Sequence, residues 1–237
     1  MPEVNIETAK SEHDSLALRK QLISTAQCMN RDGLNQGTSG NLSVRIPGGM
    51  VITPSSLPYD LMTPIDLVAI DLKGQALCEN TKRPSSEWRL HADILAARPE
   101  IQAVLHCHPI HSTALACHHR GIPPFHYMIA VAGGDDIRCA PYATFGTSEL
   151  SRLAVEALTD RSACLLAHHG LVSLGDSLDQ ALRIAIEVET LAYIYLQTLQ
   201  LGEPPLLTVH QMRAVHAQFR GLAYGQAEQL NEIKSRT

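Results

Sequence analysis

The stretch Ala103-Val104-Leu105-His106-Cys107-His108 decides how this chain folds. Its first three residues are apolar, and the stretch lies between a polar segment and Pro109, which is typical of a buried strand. A helix over 109–119 is expected to follow this strand. Residues two apart on a strand point to the same face of the sheet. We therefore expect His106 and His108 to present both imidazoles to one site.

Short strands and helices mix irregularly on either side of this strand. Without a strict βαβ rhythm, the pattern predicts a three-layer α/β/α domain around a central mixed, largely antiparallel sheet. No linker or repeat divides the chain, so we expect a single domain over 1–237, with its core at about 15–200 and a C-terminal helix and tail at about 207–237. Strands are predicted at 42–46, 50–53, 67–72, 103–108 and 163–168, and helices at 7–31, 86–98 (capped by Ser86), 109–119, 147–159 and 177–200.

The composition excludes several classes of protein. The chain has 237 residues and a formal net charge of −5, which disfavours a nucleic-acid binder because such proteins concentrate Lys and Arg. No segment approaches the roughly 18 to 20 apolar residues of a membrane helix, and the first 30 residues do not resemble a signal peptide. Six scattered cysteines suit reduced thiols better than disulfides. We expect a cytoplasmic enzyme without membrane or nucleic-acid partners.

Histidine is over-represented in the middle of the chain. Nine of the 12 histidines lie between His91 and His169. His169 follows another apolar run and precedes Gly170, and Glu87 begins a predicted helix, so His106, His108, His169 and Glu87 form a candidate metal set. Three histidines with an open position are typical of catalytic Zn²⁺, although Mn²⁺ or Co²⁺ is also compatible.

A His-x-His pair alone often only forms hydrogen bonds, so the same residues also fit a polar structural role. We interpret His111, His118, His119 and His168 as surface or surrounding residues and leave His126 open.

Three polar stretches are candidates for binding an anion through backbone N–H groups and hydroxyls. They are 35–41, 53–56 and 84–87, and the third opens a predicted helix, whose N-terminus favours a phosphate. Each stretch alone would serve equally well as a turn or a cap.

Taken in order, these motifs resemble the class II aldolase and adducin family, and within it the fuculose-phosphate aldolases. The resemblance runs from about residue 15 to residue 200. Its motifs are Gly-Leu-Asn-Gln-Gly-Thr-x-Gly-Asn from Gly33, Ile-Thr-Pro from Ile52, Pro-Ser-Ser-Glu-Trp-Arg from Pro84, His-x-His from His106, His-Tyr-Met-Ile-Ala from His126, Ala-Pro-Tyr-Ala-Thr-Phe-Gly-Thr from Ala140 and His-His-Gly-Leu from His168.

The resemblance implies a zinc-dependent aldolase that reversibly cleaves a ketose 1-phosphate into dihydroxyacetone phosphate and an aldehyde. The substrate would be L-fuculose 1-phosphate or a related deoxy- or methylthio-pentulose 1-phosphate, and the enzyme a homotetramer with active sites between subunits. The family's metal ligands fall on His106, His108 and His169, and its catalytic glutamate, which also approaches the metal, falls on Glu87. Tyr127 matches a catalytic tyrosine that the neighbouring subunit supplies. The residues implied in phosphate binding are Thr38, Gly40, Asn41, Ser55, Ser56, Ser85 and Ser86.

The chain departs from the family pattern in two places. Ser56 stands where these aldolases carry glycine, and Phe219 and Tyr224 only loosely resemble their aromatic tail. The predicted helix at 180–199 has apolar residues on more than one face, which suits a subunit contact or a central core helix.

Other functions remain compatible with the motifs. A pentulose-phosphate 4-epimerase or a methylthioribulose-phosphate dehydratase of the same family would use a similar metal site, although the epimerases tend to carry an aspartate near the position of Tyr127. An adducin-like binding scaffold would lack the metal site, so the intact donor set argues against it. A generic globular protein would not carry the ordered motifs.

Overall fold

A computed structural model describes residues 14–221, and a seven-stranded sheet lies at its centre. The strand order is β3-β2-β1-β4-β7-β6-β5, and every neighbouring pair is antiparallel except β5 and β6. The predicted mixed, largely antiparallel sheet is confirmed. The strands are β1 Asn41–Ile46, β2 Gly49–Ile52, β3 Val68–Asp71, β4 Ala103–Cys107, β5 Arg138–Ala140, β6 Ala163–Leu166 and β7 Gly170–Gly175.

Helices cover both faces of this sheet, so the three-layer arrangement is confirmed as well. They are α1 Leu16–Arg31, α2 Trp88–Ala97, α3 Ile110–Cys117, α4 Ser148–Ala157, α5 Leu178–Leu199 and α6 Val209–Gly221, with short 3₁₀ helices at Tyr59–Leu61, Pro64–Asp66 and Tyr127–Ala132. Helices α1, α3 and α5 pack into one apolar core with one face of the sheet. Helices α2 and α4 form a second core on the opposite face.

Strand β4 lies at the middle of the sheet, between β1 and β7. Ala103, Leu105 and Cys107 join the core of α1, α3 and α5, whereas Val104 joins the core of α2 and α4. His106 occupies the next position on the Val104 side and is fully buried. The alternation of β4 therefore aims His106 towards the layer that contains α2.

Several predicted boundaries change in the structure. Helix α1 begins at Leu16 because the Ser15 hydroxyl accepts the backbone N–H of Leu18 at 3.2 Å, and residues 7–13 of the predicted helix lie outside the described residues. The assignment of Ser86 as a helix cap is wrong. Ser86 is exposed and the N-cap of α2 is Glu87, whose carboxylate makes no capping hydrogen bond. That carboxylate is therefore free for another use.

Two strands were not predicted. Strand β7 begins and ends with a glycine, and β5 has only three residues, so neither strand gives a strong periodic signal in the sequence. The apolar run expected at 163–168 ends as a strand at Leu166, and the two histidines that follow it lie in the turn to β7.

Helix α5 is mainly a core helix. Its buried residues recur at helical spacing, and Leu182 and Leu196 also pack against the core. Only Ile186 and Tyr193 are large apolar residues exposed on it. Most apolar side chains of this helix are therefore buried within the chain itself, and they give little support for a subunit contact.

The six cysteines all lie within the described residues, and each is a free thiol. Among residues 14–221, no helix combines the length and apolar character needed to cross a bilayer.

Candidate metal centre

The candidate site lies where β1 begins, β4 ends and β7 begins. Asn41 pairs with His106 across β1 and β4, and His106 pairs with Val172 across β4 and β7. Because neighbouring strands run in opposite directions, the start of one strand lies beside the end of the next. The sheet thereby brings together segments that are more than 60 residues apart in the chain.

Three imidazoles converge where these central strands begin and end. The Nε2 atom of His106 lies 2.9 Å from Nε2 of His108 and 3.2 Å from Nε2 of His169. One ring nitrogen from each of the three histidines lies within 4.8 Å of the others. His108 lies just beyond β4 on the same side as His106, as predicted, and His169 comes from the turn before β7. The cluster could hold a metal ion.

The surroundings orient the ring of His106 and keep the other two rings neutral. The Nδ1 atom of His106 lies 3.0 Å from the carbonyl oxygen of Leu171, an acceptor, so Nδ1 carries a proton and Nε2 faces the cluster. Burial lowers the pKa of His108 to about 3 and that of His169 to about 4, and nearby His106 adds to both effects. Both rings are neutral near pH 7, which is the form that binds a metal.

The Glu87 carboxylate completes the donor set from the N-terminus of α2. Its Oε2 lies 3.3 Å from Nε2 of His106, and its Oε1 lies 3.3 Å from Nε2 of His169. Burial tends to raise the pKa of Glu87, but His106, His169 and the amide of Asn41 outweigh it and hold the pKa well below its ordinary value. Within residues 14–221, buried Oε1 has no hydrogen-bond partner.

This donor set fits a divalent transition metal. Neutral imidazoles and a carboxylate suit zinc and its neighbours, whereas magnesium and calcium prefer oxygen ligands alone. A bound cation would also give Glu87 Oε1 the partner that it lacks among the described residues.

A fully buried histidine, His91, also belongs to this region, and the sequence placed it only among the histidines left as shell, surface or packing residues. Its Nε2 contacts Oδ1 of Asn41, and the Asn41 amide nitrogen donates to Glu87 Oε2 at 2.9 Å. Its Nδ1 lies 2.7 Å from the Ser43 hydroxyl. His91 lies four residues after Glu87, so the helical spacing of these two residues was the signal available in the sequence.

The three candidate phosphate stretches lie next to one another. The Ser55 backbone donates to the Arg83 carbonyl at 3.1 Å, the Ser85 backbone donates to the Thr53 carbonyl at 3.1 Å, and Thr53 is hydrogen-bonded to Leu42 at the start of β1. These contacts connect the second stretch directly to the third and to Leu42, the residue that follows the first.

The side chains in these stretches differ in their exposure to solvent and in the hydrogen bonds that they already make. Thr38, Ser55, Ser56 and Ser86 are exposed. Ser85 is buried and its hydroxyl accepts the Glu87 N–H at 3.2 Å. The Asn41 side chain contacts His91 and Glu87, so its amide contributes to the carboxylate's surroundings.

Gly40 is required at the end of the first stretch. Its φ is +76°, and an added Cβ would lie 2.7 Å from the His106 carbonyl oxygen and 2.8 Å from Asn35 Oδ1. Asn35 Oδ1 in turn accepts the backbone N–H of His108 at 2.9 Å. The Tyr59 hydroxyl donates to the Gly40 carbonyl at 2.9 Å and holds this loop against the sheet.

Ser56 adopts a backbone conformation that favours glycine. Its φ is +60°, within the left-handed region that costs a residue with a Cβ about 1 to 2 kcal/mol. Serine therefore occupies a left-handed backbone position here, where the family resemblance places glycine, and it adds an exposed hydroxyl.

Tyr127 is not brought to the triad within this chain. Its ring is half-exposed at the start of a 3₁₀ helix, and in the described part of the chain it makes a ring contact with His126 and none with the three histidines. The His126 side chain accepts the Met128 N–H at 3.3 Å and so caps this helix. Phe219 packs against the core from α6, and Tyr224 lies outside the described residues.

The other histidines with roles considered above lie outside the triad within the described residues. The His111 ring lies 2.7 Å from Glu189, whose carboxylate also accepts the Ser112 backbone N–H at the start of α3. His119 and His168 contact each other on the surface, and His118 is exposed.

A family model described as "Class II Aldolase and Adducin N-terminal domain" matches residues 20–196. The chain belongs to this family. The resemblance drawn from the ordered motifs is thus confirmed.

Similar proteins include aldolases with different sugar phosphates in their names. The chain is 50% identical over 215 residues to a 5-methylthioribulose-1-phosphate/5-deoxyribulose-1-phosphate aldolase of Rhodospirillum rubrum, covering 91% of this chain and 96% of that one. It is 48% identical over 204 residues to an L-fuculose phosphate aldolase of Escherichia coli, covering 86% and 94%. A solved L-fuculose 1-phosphate aldolase superposes with a TM-score of 0.83 at 38% identity, covering 87% and 97%. The chain therefore belongs to the class II aldolases by sequence and has their fold.

Gly170→Ala should weaken metal binding. Gly170 does not have a positive φ, but an added Cβ would overlap the Cys107 carbonyl oxygen and lie 2.7 Å from Cδ2 of His108. We expect a loss of about 1 to 3 kcal/mol in the free energy of unfolding and a lower zinc affinity, because the His108 ring must move. Urea unfolding and titration with a competing chelator measure the two effects.

Gly221→Ala is the matched control, since its Cβ would meet nothing within 4 Å among residues 14–221. Zinc affinity should stay at the wild-type value in this control. Wild-type affinity in Gly170→Ala would show that the glycine does not set the position of His108.

Ser56→Gly should stabilise the protein by up to about 1 kcal/mol, because glycine adopts a positive φ without steric cost while losing more entropy on folding. Urea unfolding tests this expectation. Lower stability would show that the Ser56 hydroxyl contributes more than the backbone strain costs.

Proposed function

We propose that this protein is a metal-dependent aldolase that reversibly cleaves a ketose 1-phosphate into dihydroxyacetone phosphate and an aldehyde. The convergence of three imidazole Nε2 atoms on the carboxylate of Glu87 carries the proposal. L-fuculose 1-phosphate and the 5-deoxy- and 5-methylthio-pentulose 1-phosphates are the substrates proposed, since similar proteins are named for them.

His106, His108 and His169 would hold the ion, with Glu87 as a fourth ligand before substrate binds. A divalent cation there supplies Lewis acidity, which lowers the energy of negative charge on the substrate's ketone and adjacent hydroxyl oxygens. Zinc is the proposed metal because it suits three imidazoles with one open position, and Mn²⁺ or Co²⁺ would use the same donors.

Glu87 would carry the proton of the reacting carbon. Cleavage of the C3–C4 bond leaves negative charge on the carbon beside the ketone, and that carbon must gain a proton to become dihydroxyacetone phosphate. The buried Glu87 carboxylate is ionised, and its Oε1 lacks a hydrogen-bond partner within residues 14–221, so in the synthetic direction it can take this proton from dihydroxyacetone phosphate. In cleavage it would first gain a proton, equivalent to the one that the C4 hydroxyl releases, and would then pass it to the carbon.

Hydroxyls and backbone N–H groups would hold the substrate phosphate. Thr38, Ser55, Ser56 and Ser86 offer exposed hydroxyls on adjoining segments, and Gly40, Asn41 and Ser85 shape the same region. Serine hydroxyls and the N-terminus of α2 suit a phosphate without requiring a basic patch. A fixed phosphate would orient the carbon chain against Glu87.

Tyr127 would exchange a proton with the aldehyde oxygen in the site of a neighbouring subunit. Its ring is half-exposed and makes no ring contact with the histidines of its own described chain, which suits action on another copy. The exposed side chains of Ile110 and Phe145, on segments next to the site, would provide apolar surface for contacts between subunits of the proposed homotetramer. We further propose that residues 1–237 act as one domain in the cytoplasm.

An epimerase or dehydratase of the same family would need the same donors, but the similar proteins named above are aldolases. A non-catalytic scaffold would not require a buried, ionised glutamate beside three imidazoles.

A coupled assay for dihydroxyacetone phosphate should detect cleavage of at least one of the 1-phosphates of fuculose, rhamnulose, 5-deoxyribulose and methylthioribulose. Glu87→Gln should lower kcat by about a hundredfold to ten-thousandfold, because the proton-transfer group is lost. His108→Ala and chelator dialysis should abolish activity, and zinc should restore it only in the dialysed wild type. Activity in metal-free protein, or full activity in Glu87→Gln, would contradict this mechanism.

Tyr127→Phe should lower turnover by about a hundredfold without loss of metal. Because Tyr127 and Glu87 would come from different subunits, tetramers reassembled from equal amounts of Tyr127→Phe and Glu87→Gln chains should regain about a quarter of wild-type activity. Loss of metal from Tyr127→Phe would assign this residue to structure. The absence of any recovery in reassembled tetramers would contradict the shared site.

A further inference from the structure

We propose that His91 is a positioning residue that acts through Asn41 to fix the orientation of the Glu87 carboxylate, with Oε2 held and Oε1 left free. The importance of this arrangement for turnover rests on the proposed function of Glu87. The contacts on which it depends are those of Ser43, His91, Asn41 and Glu87.

The carboxylate sets the direction of this series of hydrogen bonds. The amide nitrogen of Asn41 donates to Oε2 of Glu87 at 2.9 Å, and a carboxylate oxygen is the natural acceptor for it. The amide oxygen of Asn41 therefore points to His91. A reversed amide would place two oxygens against each other in a buried site and would lose the hydrogen bond to Glu87.

The amide oxygen then selects one tautomer of His91. Because Oδ1 of Asn41 only accepts, Nε2 of His91 must donate to it. Burial lowers the pKa of His91 to about 3, so the ring is neutral near pH 7 and carries one N–H. Its Nδ1 is then an acceptor, and the Ser43 hydroxyl, at 2.7 Å, must donate to it.

All donors thus run from Ser43 through His91 and Asn41 to Glu87. Ser43 and His91 are fully buried and Asn41 nearly so, which excludes water as a ready replacement for a lost partner. The two carboxylate oxygens become different. Oε2 has a fixed donor, whereas Oε1 has no hydrogen-bond partner among the described residues and remains available to the reacting molecule.

His91→Leu removes the donor to Asn41 while keeping an apolar side chain in the core. We expect kcat for aldol cleavage to fall about 10- to 100-fold, the usual loss when a group that orients a metal-site residue is removed, with zinc content and KM within about twofold of wild type. His91→Gln should recover much of kcat, because its amide can both donate to Asn41 and accept from Ser43.

Ser43→Ala provides a milder test if His91→Leu does not fold. It removes only the first donor and should lower kcat several-fold. Ser173→Ala is the matched control. It removes another fully buried hydroxyl from the same sheet, which bonds the Ala181 carbonyl at 2.8 Å, and should leave kcat unchanged. Equal losses in the two variants would overturn the proposal.

A double-mutant cycle separates positioning from structural damage. If His91 acts through Glu87, then adding His91→Leu to Glu87→Gln should change kcat by no more than about twofold, since the group it positions is already gone. Losses that multiply in the double variant would show that His91 acts independently of Glu87 and would overturn the proposal.

A measurement without turnover separates this proposal from the function of the site. Two-bond ¹⁵N–¹H correlation spectra of zinc-loaded full-length protein, labelled at histidine and assigned with His91→Gln, should show His91 neutral with its proton on Nε2. A proton on Nδ1 of His91, or on both of its ring nitrogens, would overturn the proposed direction of the hydrogen bonds from Ser43 to Glu87. If no ketose 1-phosphate is cleaved, the proposed function fails, whereas the tautomer still decides the hydrogen-bond direction.

Discussion

The structure depends on the stabilisation of one ionised carboxylate that is buried at the ends of the central strands. A buried charge without partners would cost several kcal/mol, so Glu87 is stable only beside groups that favour its charged form. The Asn41 amide and the imidazoles of His106 and His169 supply that environment. These groups come from β1, from β4 and from the turn before β7, so the sheet is also the means by which the charge is compensated.

Much of this arrangement could be predicted from residue patterns because it follows short-range rules. The alternation of a strand places His106 and His108 on one side, and irregular mixing of short strands and helices predicts a layered, largely antiparallel fold. The family motifs extend this prediction to His169 and Glu87, which no local periodicity could connect to β4.

The parts that escaped prediction depend on long-range contacts. Strand β7 has two glycines as its ends, and its identity as a strand follows from pairing with β4. Ser86 has the residue type of a helix cap, but the turn that precedes α2 places Glu87 at that position. His91 resembles any polar residue on a helix until the sheet brings Asn41 and Ser43 against it.

The register of the central strands also has a consequence for folding. Asn41, His106 and Val172 lie side by side, although they are distant in the chain, so three separate segments must pair before the donors meet. Such non-local pairing is slow to form because loops must close first. A metal would therefore bind the native chain far better than the unfolded one, and a higher free concentration of that metal would raise the fraction of chains that are folded at equilibrium.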